Sequence, residues 1–512
     1  MNKSKSITIS IVSMIILGVF SKSLGLLREV FIASKFGSGM ITDTFFLALA
    51  GVGLFASMIT LSINTSIIPI LSEIESNEPK ENRNYYLNNL LNIIIIISIF
   101  LSVIAWFFTP YIIKLMGMGF DSSQSSLAVL LMRIGIPSLI FSGIVGIYRG
   151  YLQSKERFLE SSTSQFPYNI TFILYLMFFT NIYGINGLMF ASVLAIASQM
   201  ILQVPSLKKL DYKYKFVVNF KDKYFVKMLY LIGPILISVA VNDVNKIIDR
   251  ALASSLIEGS ISALNYSARI NSLVLAILIT AISTVLFPIL TKSVMEKKFR
   301  DFKKLIINGT NIIIIIIIPI TIIIAVMAEP ITRLLFQRGE FTSSDTHMTS
   351  SALIFYTIGL IGMALRTYYE KAFFALHNTK TPMINGLITV ILNIILNILL
   401  IGPLEYKGLA LATSISTLMT TLYLFYSLQK TIGRIEMKGI WICIFKTLIS
   451  GSIMGGIAYF TKKLIFDENY KFIYEFINIS IIIFICLIIY VLLLYMMKTK
   501  ELQWIINLVK QK

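Results

Sequence analysis

Residues 305–328 read LIINGTNIIIIIIIPITIIIAVMA, twenty-four positions without an ionisable side chain. About 20 apolar residues carry an α-helix across the hydrocarbon core of a bilayer. In lipid the backbone polar groups must pair within the segment, so such a run is read as a helix. Charge collects at its flanks, with Arg300, Lys303 and Lys304 before it and Glu329 after it. Working outward, the same pattern recurs along the chain. Apolar runs predict helices over about 7–34, 42–71, 88–116, 124–152, 160–181 and 185–207, then 225–255, 260–290, 303–328, 346–375, 381–402 and 407–429, and finally 438–461 and 472–497. The expected fold is an all-α polytopic membrane protein of about fourteen transmembrane helices. The composition agrees: 56% of the 512 residues are hydrophobic and 14% charged, against about 25% charged in soluble domains. The Ile-rich stretches at 93–97 and 312–318 read as lipid-facing filler.

The formal net charge is +19. Nucleic-acid binders gather such charge on one polar face, whereas here it sits in short loops between apolar runs, so no nucleic-acid partner is expected. The loop after the sixth run carries Lys208, Lys209, Lys213, Lys215, Lys221 and Lys223; the loop after the eighth carries Lys292, Lys297, Lys298 and Arg300. Loops of the alternate set are poorer in cations, the exception being Lys462, Lys463 and Lys471 beside Asp467 and Glu468. The asymmetry predicts a multi-pass protein with both termini in the cytoplasm. Lys3 and Lys5 precede the first run, but no small-residue cleavage site follows, and that run reads as a retained first span. Cys443 and Cys486 lie singly in apolar runs and read as small apolar fillers; His347 and His377 are too few for a metal centre.

The two halves repeat. Pro69-Ile70-Leu71 and Pro288-Ile289-Leu290 are offset by 219 residues; Ala33-Ser34 with Gly39 and Ile41, and Ala253-Ser254 with Gly259 and Ile261, by 220; Gly187-Leu188 with Ala191-Ser192, and Gly408-Leu409 with Ala412-Thr413, by 221. Three ordered matches at nearly one offset favour a duplication. The expected organisation is an N-terminal lobe over 1–222 (helices 1–6 and a basic linker), a second lobe of helices 7–12 over 223–432, and helices 13 and 14 with a tail over 433–512. Repeated lobes suit a transporter that alternates access.

Ionisable residues within the spans are costly and normally face protein or water. The first span carries Lys22, Arg28 and Glu29; Asp43 opens the second, where it reads as an N-cap; the seventh carries Asp243, Lys246, Asp249 and Arg250; and Arg269 lies in the eighth. Arg133 and Arg149 stand in the fourth span and Arg366, Glu370 and Lys371 in the tenth, where ion pairing or snorkelling accounts for Arg149, Glu370 and Lys371. Lys22 and Arg269 are flanked by apolar residues on both sides and suit a cavity that attracts an anion. Arginine binds phosphate as a fork. Lys22 and Arg28 lie some 120° apart on an ideal helix and share a face only if Gly25 bends it or the long side chains converge. No cluster of carboxylates or histidines is arranged for acid–base catalysis, and there is no GxxxxGK[ST] loop, so an enzyme is not expected.

Ser21-Lys22-Ser23-Leu24-Gly25-Leu26-Leu27-Arg28-Glu29, followed by Phe36-Gly37-Ser38-Gly39-Met40-Ile41-Thr42-Asp43-Thr44-Phe45-Phe46, resembles the opening of the MurJ/MviN family, in the multidrug/oligosaccharidyl-lipid/polysaccharide exporter superfamily. Asn265-Tyr266-Ser267-Ala268-Arg269, Leu335-Phe336-Gln337-Arg338-Gly339-Glu340-Phe341 and Phe374-Ala375-Leu376-His377-Asn378-Thr379-Lys380-Thr381-Pro382 are similar to further motifs of that family, in order. The resemblance implies a flippase for lipid II, the undecaprenyl-pyrophosphate-linked peptidoglycan precursor, acting in the bacterial cytoplasmic membrane. It implies that Lys22, Arg28 and Arg269 bind the pyrophosphate, supported by Glu29 and Asp43. It also implies a groove for the lipid tail on the last two helices, and a sodium site with ligands at Asp249, Asn393, Asn397 and Thr413; no other cofactor is expected. The family often carries basic residues in the second span, where this chain has the uncharged Leu49-Ala50-Gly51-Val52-Gly53-Leu54-Phe55-Ala56. Another polyprenyl-linked saccharide therefore stays open as substrate, and a cation-coupled drug exporter is the more distant reading. The partners expected are the lipid-linked substrate and membrane lipids, with the chain a monomer.

Overall fold

The structure is a computed structural model that describes residues 2–157, 160, 163–465 and 472–499. The basic and acidic residues expected at 467, 468 and 471, and most of the tail, lie outside the described residues. All the regular elements described are helical. They are α1 Asn2–Phe36, α2 Met40–Asn77, α3 Lys80–Met116, α4 Ser122–Gly135, α5 Ser138–Ser154, α6 Gln165–Phe178, α7 Thr180–Lys208 and α8 Lys223–Ser254. Then come α9 Ser260–Ala281, a π-helical turn Ile282–Leu286, α10 Phe287–Met295, α11 Phe299–Val326, α12 Ala328–Phe336, α13 Ser343–Ile358 and α14 Leu360–Ala375. The last four are α15 Lys380–Leu404, α16 Tyr406–Ile432, α17 Lys438–Ile465 and α18 Phe472–Met496.

Each expected span falls on a helix or on a broken run of helices. Among the described residues eight helices are long and apolar enough to cross a membrane, or ten if the pairs α4–α5 and α13–α14, each bent by 42°, count as single spans. The breaks have local causes. Pro137 lies between α4 and α5. In the eighth span a π-helical turn ends just before Pro288, whose missing N–H leaves a carbonyl to be satisfied otherwise.

The chain forms two compact units, 1–262 and 263–512. In the first, α2 packs on α3, α4, α5 and α8, α6 pairs with α7, and α1 lies on α6. The α2–α5 contact is close because α5 offers glycine. A Cβ on Gly150 would stand 2.2 Å from Cγ2 of Ile67, which no side chain tolerates. In the second unit, α15 pairs with α16, α16 also packs on α13 and α14, and α11 packs on α14 and α17. Its core joins Phe302, Ile306, Ile313 and Ile317 of α11 to Tyr368, Phe373, Leu424 and Cys486.

This corrects the reading of the 312–318 isoleucines as lipid-facing. Ile313, Ile314, Ile315, Ile317 and Ile318 are buried, because α11 is covered by α14 on one side and α17 on another. The 93–97 run keeps an exposed side at Ile96. Cys443 and Cys486 are buried, as small core residues are.

Candidate substrate site

Arg28 comes from about the eighth turn of α1, on the face laid against α6. It is 8% exposed and Glu29 1%. Its Nη2 donates to Oε1 of Glu29 at 2.6 Å, and Nη1 donates to Oδ1 of Asn169 at 3.3 Å. The guanidinium lies 5.3 Å from the ring centre of Tyr168 and 5.1 Å from that of Phe172. These three α6 residues, spaced over one turn, form a cradle of one amide and two π faces, where a weakly hydrated planar cation is favoured. Among the described residues, the buried Nε–H of Arg28 meets no acceptor. Asn169 also ties the start of this stretch down, its Nδ2 donating to the Ser21 carbonyl at 3.3 Å. α1 continues as a helix through Gly25. Lys22 is exposed where Arg28 is buried, as their angular separation requires.

Asp43 does not cap its own helix, as the sequence reading expected. It lies within the first turn of α2, whose N-cap residue is Gly39. Its carboxylate accepts instead from Gly259 N at 2.8 Å, Ser262 N at 2.7 Å and Ser262 Oγ at 2.5 Å, so it caps the start of α9. In return Oε1 of Glu258 accepts from Met40 N at 2.6 Å and caps α2. The two loops are those related by the 220-residue offset, and each supplies the acid that satisfies the other's helix end. Negative charge at both N-termini is favoured by the helix dipoles. Gly259 makes the approach possible: its φ is +87°, and a Cβ there would stand 2.8 Å from the Ser38 carbonyl.

Other intramembrane charges have protein partners. Asp243 of α8 accepts from Ser57 Oγ of α2 and from Lys246, both at 2.7 Å. Arg149 donates to Ser164 and Gln199, and Arg366 pairs with Glu370 at 2.9 Å. Arg133 stacks 4.2 Å from the Trp106 ring centre. Arg269 stands half-buried on α9, in the second unit.

Of the residues named for a sodium ion, Asn393, Asn397 and Thr413 come together between α15 and α16. Asn393 Nδ2 donates to Thr413 Oγ1 at 3.3 Å, and Asn397 Nδ2 donates to Asn393 Oδ1 at 3.1 Å. Asp249 belongs to the first unit, where it accepts from Asn245 at 3.2 Å. Among the described residues no group of three or more His, Cys, Asp or Glu could hold a metal. The neutral oxygens of the α15–α16 set fit a hard cation if the amides turn over. That set extends a ladder the sequence reading missed: Asn385 donates to the Thr420 carbonyl at 2.6 Å and Thr389 to Thr420 Oγ1 at 3.0 Å. The i, i+4 spacing of 385, 389, 393 and 397 was its available signal.

The family model for lipid II flippase MurJ matches residues 32–481. The chain belongs to that family. A probable lipid II flippase of Rickettsia prowazekii is 30% identical over 454 residues, covering 87% of this chain and 89% of that protein. One from Buchnera aphidicola subsp. Baizongia pistaciae is 29% identical over 465 residues, covering 90% and 91%. A solved lipid II flippase MurJ in an inward closed conformation is similar with TM-score 0.78 and 27% identity, over 95% of this chain and 99% of that one. An inward-facing multidrug resistance MATE family transporter shares the fold alone, at TM-score 0.66 and 13% identity over 82% and 98%. The family and the apolar helices make this a multi-pass membrane protein.

Proposed function

We propose that the chain flips lipid II across the bacterial cytoplasmic membrane by alternating access, with both termini in the cytoplasm. The observation that carries the reading is Arg28, a buried arginine held in the family's first-span motif by Glu29, Asn169 and two aromatic faces. Lys22 and Arg28 from the lobe 1–222, and Arg269 from the lobe 223–432, supply the positive charge for the diphosphate. The appended 433–512 segment, rich in exposed apolar side chains such as Phe460 and Phe484, receives the polyprenyl tail.

The geometry supports an exchange at Arg28. A diphosphate offers the guanidinium two acceptors where Glu29 and Asn169 now offer one each. Taking Arg28 from Glu29 leaves a buried carboxylate without its counter-charge, which drives α1 off α6. Binding is thereby coupled to helix movement rather than to a static grip. Asp43 and Glu258 act as the opposing clasp, which holds α2 and α9 end to end until that movement pulls them apart. A sodium ion, when bound, would take oxygens from Asn393, Asn397 and Thr413, with Asp249 adding charge, and would supply a gradient to work against.

The test is complementation of a strain depleted of its lipid II flippase, with membrane levels checked. Wild type should rescue growth, and Arg28→Ala and Arg269→Ala should not. Rescue by both variants overturns the cationic site. Failure of well-inserted wild type moves the substrate to another polyprenyl-pyrophosphate-linked saccharide.

A further inference from the structure

The segment joining α7 to α8 has no helix or strand from Tyr212 to Asn219, yet it is fixed in place. Four asparagines of α3 hold its backbone. Asn84 Nδ2 donates to Asp211 O at 3.3 Å, and Asn88 Nδ2 to Lys213 O at 3.0 Å. Asn92 Nδ2 donates to Lys215 O at 3.4 Å and Val217 O at 3.0 Å. Asn89 then receives the returning chain, donating to Asn219 O at 2.9 Å and accepting from Asn219 N at 2.6 Å. The side chains of Tyr212 and Tyr214 close the same amides from the other side, donating to Asn88 Oδ1 at 2.7 Å and Asn92 Oδ1 at 2.8 Å. The segment therefore runs down α3 from Asn84 to Asn92, about 12 Å at 1.5 Å per residue, and turns back.

Phe216 is the tip of that turn, between the two carbonyls bonded to Asn92, and it is 76% exposed. Its level is set by α3. The run 93–113 has no charge and twenty-one residues, about 31 Å of helix, which matches the hydrocarbon core. Asn92 thus stands at the edge of the hydrocarbon, and Phe216 beside it. Lys213, Lys215 and Lys221 are exposed around the tip, with Phe220 also exposed. A rigid loop that presents an aromatic tip ringed by lysines at the depth of the headgroups matches an anionic lipid surface in both polarity and charge.

We propose that this loop is a lipid-binding wedge: Phe216 inserts at the acyl boundary and Lys213, Lys215 and Lys221 gather anionic headgroups around it. The inference rests on the membrane reading of α3, and on the orientation proposed above only in naming the cytoplasmic leaflet. Its purpose in the fold is anchorage, since the asparagine ladder transmits any hold on lipid directly to the start of α3.

The test uses the full chain with Cys443→Ser, Cys486→Ser and Phe216→Cys, labelled with bimane and reconstituted into vesicles. Lipids brominated near the glycerol end should quench the label more than aqueous iodide does. Brominated phosphatidylglycerol should quench it at least about twofold more than brominated phosphatidylcholine, as three lysines attracting anionic headgroups require. Lys213→Gln with Lys215→Gln and Lys221→Gln should abolish that preference while bromine quenching persists. Stronger quenching by iodide overturns the proposal and turns attention to a soluble acidic partner. Equal quenching by the two lipids also overturns it. Transport is not the readout, so a failure of the flippase reading leaves this result interpretable.

Discussion

The α1–α6 contact of the first unit and the α15–α16 contact of the second both bury polar groups in apolar surroundings, by opposite means. The first concentrates charge: one arginine, one glutamate and a single amide, enclosed by two rings. The second sets neutral groups of α15 and α16 against one another at successive turns, from Asn385 to Asn397, with the Arg366 guanidinium of α14 donating to Thr389 from outside the pair. A concentrated pair fails all at once when one member is taken. A distributed ladder loses a rung and re-forms. The first arrangement suits a residue that must be released by substrate, the second a joint that must hold while other parts move.

The largest effect should come from Arg28→Ala. Stranding Glu29 should cost about 3–5 kcal/mol, read as unfolding in detergent, and Arg28→Gln with Glu29→Gln should restore most of it while transport stays lost. If Arg28→Ala is no worse than Asn393→Ala, the contrast between the two contacts collapses. Next, Asp43→Asn removes the charge from three hydrogen bonds and should cost about 1.5–3 kcal/mol. Glu258→Gln on top should be non-additive if the two caps form one clasp, and a double-mutant cycle decides it. In the ladder, Asn393→Ala and Asn397→Ala should each cost only about 0.6 kcal/mol, the mean for interhelical bonds in membranes. Sodium in place of potassium should stabilise wild type by about 1.4 kcal/mol at ten times its dissociation constant, and Asn393→Ala should lose that gain. Sodium indifference leaves the ladder as a purely structural joint.

The smallest effect should be at Glu78, past the end of α2. The Lys223 ammonium, with Tyr224 and Asn82, holds its carboxyl down at about 2. A depressed folded value means that the contribution is complete above the ordinary carboxyl range and fades as the pH falls toward 2. Glu78→Gln should flatten that acid limb of the unfolding profile and lower stability slightly at neutral pH, where the contribution is complete.

The helices were legible because hydropathy is a property of single runs, and the 305–328 stretch alone nearly decides the class. The family was legible because Lys22 to Glu29 and Phe36 to Phe46 are contiguous. What escaped was whatever depends on a partner far along the chain. Nothing near Asp43 says that its donors are Gly259 and Ser262, and nothing in the 312–318 isoleucines says that α14 and α17 will cover them. The nine-residue α12 carries Glu329 and Arg333 and is too short to show a period. Asn84 precedes the expected third span and Asn88, Asn89 and Asn92 open it, but nothing in that run says that the carbonyls of 211–219 will be set against them.

The paired caps of α2 and α9 also carry a kinetic meaning. Met40 and Glu258 are 218 residues apart. At roughly 5–20 residues per second of synthesis, α2 must wait about 10–40 s for the acid that closes its first turn. The loop ahead of α2 is therefore the last part of the early chain to settle. Completion of the clasp marks the moment at which the newly made protein has enough of its second repeat to be one molecule.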